Sequence, residues 1–156
     1  MRRPVLYVLV GMQGSGKSTY AARLAAGNPG LRVISRDAEV ARLNAGRLPY
    51  DLALRRHGKT ATRRVLRALE EAGASDDDVV LDMTNGTRAE RAARMAFFPN
   101  HDKVAIRFAV PFDECRRRAA LRADKPLPAV AFHAYRKAYE PPAPEEGFVR
   151  IETAEP

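Results

Sequence analysis

Apolar and polar residues follow two different spacings along this chain. Short runs rich in β-branched residues predict five strands, at Val5–Val10, Leu31–Ser35, Val79–Asp82, Lys103–Ala109 and Phe148–Glu152. Between them, apolar residues recur three or four positions apart and predict six helices, at Lys17–Ala26, Asp37–Ala45, Asp51–Ala72, Arg88–Phe98, Phe112–Arg122 and Pro128–Tyr139. Strands that alternate with helices are typical of βαβ units. We therefore expect an α/β fold with a parallel sheet and helices on both of its faces.

Two connecting segments have a distinctive composition. The run Asp76-Asp77-Asp78 precedes the third predicted strand, and we interpret it as a solvated turn. The segment Pro141-Pro142-Ala143-Pro144 predicts a stiff connector before the last strand.

Length and charge limit the possible functions. The chain has 156 residues, which predicts one domain over 1–156, and it carries a formal net charge of +8. A charge of this sign favours a polyanionic partner, such as a nucleic acid or a phosphorylated small molecule. The chain is also rich in Ala, Arg and Pro, so the charge is supporting evidence only.

The cysteine content and the hydropathy pattern bear on the compartment. Cys115 is the single cysteine, which excludes an intrachain disulfide and is typical of a cytoplasmic protein. The apolar run after Arg3 is too short for a secretory signal, and we expect no membrane-spanning segment.

The most specific motif lies directly after the first predicted strand. Residues 11–18 match the pattern G-x-x-x-x-G-K-[ST] and lead into a predicted helix, which is the context that a phosphate-binding P-loop requires. In such a loop Lys17 reaches the β- and γ-phosphates, the Ser18 hydroxyl binds Mg²⁺, and Thr19 lies near the α-phosphate. The residues expected to surround the phosphates of ATP are Gly11, Gly14, Ser15, Gly16, Lys17, Ser18 and Thr19.

Two acidic residues lie at the ends of the next two predicted strands. Asp37 comes after the second strand, and Asp82 ends the third. Because the carboxyl ends of parallel strands meet at one edge of a sheet, both carboxylates are expected near the bound phosphates. One can accept a proton from an attacking hydroxyl and the other can organise Mg²⁺ or the acceptor. Asp37 could instead cap a helix, and Asp82 could be a turn residue.

A basic segment precedes a proline-rich break. Arg118 and Arg122 are four positions apart, so a helix would present them on one face. We interpret residues 116–128 as a lid whose arginines close over the triphosphate. The alternative is a solvated basic helix face.

Together these motifs resemble the kinase domain of the phage and bacterial 5′-hydroxyl polynucleotide kinases. The resemblance covers about residues 5–152 and includes the P-loop, in which Gln13 replaces the family's usual proline. It also includes Ile34-Ser35-Arg36-Asp37, the segment Leu81-Asp82-Met83-Thr84-Asn85, and Arg118 and Arg122 with Lys125-Pro126-Leu127-Pro128.

The resemblance implies transfer of the γ-phosphate of ATP, with Mg²⁺, to the 5′-hydroxyl of DNA or RNA. Asp37 would be the general base, and Lys17 and Arg122 would stabilise the transferring phosphoryl group. The arginines Arg118 and Arg122 would also bind ATP. The residues that would contact the acceptor are Asp37, Asp82, Thr84, Asn85 and Leu127.

One position departs from the family pattern. Where the family has an arginine that contacts the acceptor phosphate, this chain has Val40, and Arg42 or Arg36 is the candidate to replace it. Val40 favours an alternative function, phosphorylation of a small-molecule hydroxyl such as that of a nucleoside, sugar or antibiotic. A third hypothesis is a nucleotide-binding switch or nucleic-acid-binding ATPase that transfers no phosphate.

Overall fold

The five strands form a single parallel sheet. The structure is a computed structural model, and it describes residues 2–122 and 128–154. The strands are β1 Val5–Val10, β2 Arg32–Ile34, β3 Val79–Leu81, β4 Asp102–Phe108 and β5 Arg150–Ala154. Their order in the sheet is β2-β3-β1-β4-β5, and each strand runs parallel to its neighbours. The sequence prediction of a five-stranded parallel α/β sheet is therefore confirmed.

Helices cover both faces of this sheet. They are α1 Lys17–Ala26, α2 Arg36–Asn44, α3 Tyr50–Gly73, α4 Arg88–Met95, α5 Phe112–Ala120 and α6 Ala129–Ala138, with a short 3₁₀ turn at Pro144–Glu146. Alternate residues of β1 point to opposite faces, as a strand requires. Leu6, Val8 and Val10 pack with α3 and α4, whereas Leu9 packs with α1 on the other face.

Three predicted elements have boundaries in the structure that differ by two residues or more, and the other predicted boundaries agree to within one residue. Helix α4 ends at Met95 rather than Phe98, because the amides of Phe97 and Phe98 bond only three residues back. Helix α5 ends at Ala120, and the Arg122 amide likewise bonds to Ala119. Strand β5 is Arg150–Ala154 rather than Phe148–Glu152, although the Val149 amide already bonds to Lys103.

Asp78 corrects the interpretation of the acidic run as a solvated turn. Its side chain is buried and accepts hydrogen bonds from the Arg2 guanidinium at 2.9 Å, the Val5 amide at 2.8 Å and the Asn28 side chain at 3.1 Å. The carboxylate therefore connects the N-terminal segment to the start of β3. Separately, no helix in the described ranges combines the length and apolar character needed to span a bilayer.

Candidate active site

The loop between β1 and α1 forms a tight turn at the carboxyl edge of the sheet. Gly14 and Gly16 have φ angles of 83° and 98°, in the left-handed region that favours glycine. A Cβ on Gly14 would lie 2.4 Å from the Cys115 carbonyl oxygen, so helix α5 packs directly on the loop. The Gly11 amide donates a 3.1 Å hydrogen bond to the Thr84 carbonyl, which joins the loop to the segment after β3.

The polar groups of this loop fit a phosphate-binding role. Lys17 is buried, and its Nζ donates a 2.9 Å hydrogen bond to the Met12 carbonyl. The Ser15 hydroxyl is also buried and has no hydrogen-bond partner within residues 2–122 and 128–154. A cation and an unsatisfied hydroxyl in a glycine turn at a helix N-terminus form a suitable anion site.

A cavity of about 240 Å³ lies on the loop, and we call it the P-loop cavity. One wall is the loop with the start of α1, and Arg118 and Arg122 form the other. The Arg118 Nε also donates a 3.0 Å hydrogen bond to Glu114, which fixes it along helix α5. The structure therefore brings together the loop and the two arginines that the sequence singled out, although Arg122 lies beyond the end of the helix.

Ser18 and Asp82 meet at the edge of this cavity. The Ser18 hydroxyl donates a 2.9 Å hydrogen bond to an Asp82 carboxylate oxygen. Asp82 follows β3 directly, and its amide bonds to the Ile34 carbonyl at 2.9 Å, which sets its place at the strand end. A hydroxyl and a carboxylate at this separation are oxygen ligands of the kind that Mg²⁺ prefers, so these two residues fit a magnesium site.

Asp37 lies in the first turn of α2 but does not cap that helix. The cap is Ser35, whose hydroxyl accepts a 3.2 Å hydrogen bond from the Ala38 amide. The Asp37 carboxylate instead accepts one hydrogen bond from Gln13 at 3.4 Å and one from the Tyr50 hydroxyl at 3.3 Å. Capping therefore does not account for this acid.

Asp37 lines a larger cavity of about 630 Å³, which we call the α2–α3 cavity. Ser18, Asp82 and Arg122 also line it, and Ser18 and Arg122 line the P-loop cavity as well, so the two cavities adjoin. Much of its wall is uncharged and apolar, formed by Val33, Ala38, Val40, Ala41, Leu48, Pro49, Tyr50 and Ala53. Burial, together with the nearby charge of Asp37, raises the pKa of Tyr50 to about 12.

The structure corrects the expectation that Asn85 contacts an acceptor. Asn85 is fully buried with a φ of 47°. Its amide donates to the Leu9 carbonyl at 2.8 Å and the Met83 carbonyl at 3.1 Å, and its side-chain oxygen accepts from Arg94 at 2.6 Å. The bond to Leu9 holds the segment after β3 against β1 and the bond from Arg94 holds it against α4, so Asn85 is a structural residue.

Neither arginine proposed to replace the family's acceptor contact lines the α2–α3 cavity. The Arg42 guanidinium is exposed and pairs with Glu39. The Arg36 guanidinium donates to Thr62 at 3.0 Å and to the Gly58 carbonyl at 3.3 Å, which joins α2 to α3. Val40, in contrast, is buried and forms part of the cavity wall. The structure therefore does not place Arg42 at this cavity, and its contact with an acceptor stays a prediction.

Two other predicted acceptor residues have different outcomes. Thr84 lines a separate cavity of about 230 Å³ between the P-loop and α6, together with Gln13 and Tyr135. Leu127, like Lys125 and much of the predicted lid, lies outside the described residues.

Sequence reasoning missed Gln13 and Tyr50 as neighbours of Asp37. Gln13 could have been found, because it departs from the proline of the resembled P-loop. Tyr50 had no local signal, since its contact with Asp37 depends on how α2 and α3 pack. The buried Arg91 was missed as well, and it binds Glu146 at 2.8 Å and the Asn85 carbonyl at 2.9 Å behind the site.

Comparison with known proteins agrees with this architecture. A sequence model of the AAA domain family matches residues 6–142, which is most of the chain. No curated protein matches the sequence.

Similar solved structures include kinases of several kinds. A protein from Chloroflexus aurantiacus described as a kinase is 20% identical with a TM-score of 0.72, over 99% of this chain and 86% of that one. A gluconokinase from Sinorhizobium meliloti is 22% identical with a TM-score of 0.63, over 100% and 86%. A fungal RNA kinase is 17% identical with a TM-score of 0.66, over 99% of this chain but 39% of its own. Identities this low show a shared fold alone.

Proposed function

The chain belongs to the AAA domain family of P-loop proteins, and from this premise we propose that it is an ATP- and Mg²⁺-dependent kinase that phosphorylates the 5′-hydroxyl end of a polynucleotide. One observation carries the proposal. The Asp37 carboxylate lines one cavity, the P-loop lines the next, and Ser18 and Arg122 line both. A phosphate donor and a hydroxyl acceptor bound in adjoining cavities would meet between these residues.

Each part of the P-loop cavity has a role in this proposal. The loop from Gly11 to Gly16 with Lys17 and Thr19 would bind the ATP phosphates, and Arg118 and Arg122 would bind them from the opposite side. Ser18 and Asp82 would hold Mg²⁺. When bound, Mg²⁺ neutralises charge on the phosphate oxygens as ADP is released.

Asp37 would supply the general base. The acceptor hydroxyl oxygen forms a bond to the γ-phosphorus, the bond from that phosphorus to the β–γ bridging oxygen breaks, and the hydroxyl proton passes to Asp37. Lys17 and Arg122 would stabilise the negative charge that spreads over the transferring group.

Two arguments support a polynucleotide as the acceptor. The net charge of +8 favours a polyanion, and the sequence motifs resemble those of 5′-hydroxyl polynucleotide kinases. The α2–α3 cavity is wide enough for a terminal nucleoside, with the remaining strand outside it.

A second candidate is a kinase for a small neutral hydroxyl compound. The specific observation that favours it is the apolar wall of the α2–α3 cavity. In that wall Val40 occupies the position where the polynucleotide kinases have a phosphate-binding arginine. Arg36 and Arg42 are engaged with Thr62 and Glu39 elsewhere.

An acceptor screen tests the proposal. The protein is incubated with Mg²⁺ and γ-labelled ATP and with one of several acceptors: 5′-hydroxyl DNA or RNA oligonucleotides, or a panel of nucleosides and sugars. Oligonucleotides that already carry a 5′-phosphate are the matched control. Label on the 5′-hydroxyl oligonucleotides alone supports the first candidate, and label on a small molecule alone supports the second. ATP binding with label on none of them would indicate a non-catalytic nucleotide-binding protein.

A further inference from the structure

We propose that Gln13 and Tyr50 are positioning residues that hold the Asp37 carboxylate between them. This inference rests on the proposed function, in which Asp37 is the general base, and it assigns a task to two residues that the resemblance leaves without one.

The two side chains donate to different oxygens of the Asp37 carboxylate. The Tyr50 hydroxyl donates to Asp37 Oδ1 at 3.3 Å, and the Gln13 side-chain amide donates to Asp37 Oδ2 at 3.4 Å. The donors come from two different elements, the start of α3 and the P-loop turn. A carboxylate held at both oxygens cannot rotate freely about its Cβ–Cγ bond, so a lone pair on each oxygen keeps a constant direction.

Tyr50 is suited to a permanent role as donor. It follows Pro49 at the first position of α3, where the Ala53 amide bonds to the Pro49 carbonyl at 2.9 Å and fixes the first turn. Its side chain is partly buried, and burial beside Asp37 raises the pKa of Tyr50 to about 12. The hydroxyl therefore stays protonated at the pH values at which a kinase works.

Gln13 connects the base to the loop that surrounds the phosphates. It lines the P-loop cavity next to Gly14, and its side chain reaches Asp37 across the space between the two cavities. A proline at position 13, as in the resembled family, has no side-chain donor and could not make this contact. The contact therefore distinguishes this chain from the P-loop pattern of the polynucleotide kinases that it resembles.

The expected effect of each substitution on the rate of phosphate transfer follows from the geometry of the base. A base must lie within hydrogen-bond reach of the proton that it accepts, and a misplacement of about 1 Å can cost about a hundredfold in rate. Losing either of these donors leaves the other contact in place and the carboxylate partly restrained, so we expect a loss of about tenfold from either single variant.

The test is a double-mutant cycle on phosphate transfer to whichever acceptor the screen identifies. Tyr50→Phe removes only the hydroxyl, and Gln13→Leu removes the donor at similar size. Tyr7→Phe, on β1 away from both cavities, is the matched control. Rates are measured under single-turnover conditions with labelled ATP, and ATP affinity is measured separately by binding. Thermal unfolding of each variant identifies any that is misfolded.

Three results are expected together. Tyr50→Phe and Gln13→Leu each lower the transfer rate about tenfold while ATP affinity changes less than about twofold. Tyr7→Phe leaves the rate unchanged. In an Asp37→Asn background, Tyr50→Phe has no further effect on the residual rate, because its action passes through the carboxylate.

Contrary results separate this inference from the proposed function. Wild-type transfer by Tyr50→Phe and Gln13→Leu, with Asp37→Asn inactive, would overturn the positioning role and leave the kinase intact. A full tenfold loss from Tyr50→Phe in the Asp37→Asn background would also overturn it. If Asp37→Asn itself transfers at the wild-type rate, the proposed function fails.

Discussion

The Ser18 hydroxyl donates a hydrogen bond of 2.9 Å to an Asp82 carboxylate oxygen. The two residues are 64 positions apart in the chain, and parallel pairing of β1 with β3 brings their elements together. The resemblance assigned Asp82 to the acceptor. Its contact with the P-loop serine instead favours the magnesium role, because a P-loop serine and a strand-end acid are the usual protein ligands of that ion in P-loop enzymes.

Asp82→Asn is predicted to weaken the response to magnesium. The amide keeps the size of the side chain but loses the negative charge, so the Mg²⁺ concentration that gives half-maximal phosphate transfer should rise at least about tenfold. A magnesium titration at saturating ATP measures this, with Asp51→Asn, in the exposed first turn of α3, as the control. An unchanged magnesium response with a raised acceptor KM would instead return Asp82 to the acceptor.

The three neighbouring arginines are predicted to behave differently. Arg122 lines both cavities, Arg118 lines only the P-loop cavity, and Arg117 lines neither and bonds to Glu114 at 2.9 Å. Arg122→Ala should lower kcat by about a thousandfold, since an arginine on the transferring phosphoryl group contributes that much or more. Arg118→Ala should mainly raise the KM for ATP, and Arg117→Ala should change neither constant. Steady-state kinetics distinguish these outcomes, and equal losses in all three would mean a general effect of positive charge.

Local patterns predicted the elements with strong boundaries. Strand Val5–Val10 and helix Lys17–Ala26 have the bounds that the sequence predicted, because a β-branched run ends at a glycine turn that opens a helix. The ends of α4, α5 and β5 were misplaced by two or three residues. Those ends depend on backbone hydrogen bonds near each terminus, and the spacing of apolar residues does not predict those bonds.

Part of the candidate site could also be predicted from local sequence patterns, and part could not. The P-loop and Asp37 follow predicted strands and Asp82 ends one, and parallel strands bring their ends to one edge. Asn85 and Asp78 were misinterpreted, because their partners Leu9 and Arg2 lie 76 positions away. A polar residue in a turn has the same local signature whether water or a distant backbone group satisfies it.

Acid should remove the stabilisation that Asp78 provides. Burial opposes the charge of this carboxylate, but hydrogen bonds from Arg2, Val5 and Asn28 outweigh burial and lower the pKa of Asp78 below its ordinary 3.8. Its contribution is therefore complete above that pH and is lost as the pH falls through the lower folded value. Asp78→Asn should lower the free energy of unfolding at pH 7 by about 1–3 kcal/mol.

The difference in the free energy of unfolding between wild type and Asp78→Asn should then become smaller below about pH 4. Urea unfolding at a series of pH values measures it, with the exposed Asp76→Asn as the control. A gap that stays constant down to pH 2 would show that the charge of Asp78 is not what stabilises this junction.

Arg91 is predicted to be a main support of the site from behind. It is fully buried, binds the Glu146 carboxylate at 2.8 Å and 3.1 Å, and donates to the Asn85 and Glu140 carbonyls at 2.9 Å each.

Arg91→Met should lower the free energy of unfolding by about 3–5 kcal/mol, because it leaves Glu146 charged without the guanidinium that pairs with it. Replacing both residues, Arg91→Met with Glu146→Leu, should recover part of that loss. Arg88→Ala, which breaks the exposed pair with Glu145, is the control and should destabilise the protein far less than Arg91→Met. Urea denaturation of the four proteins decides the matter: if Arg91→Met is no more destabilising than Arg88→Ala, the buried pair does not hold the Asn85 turn in place.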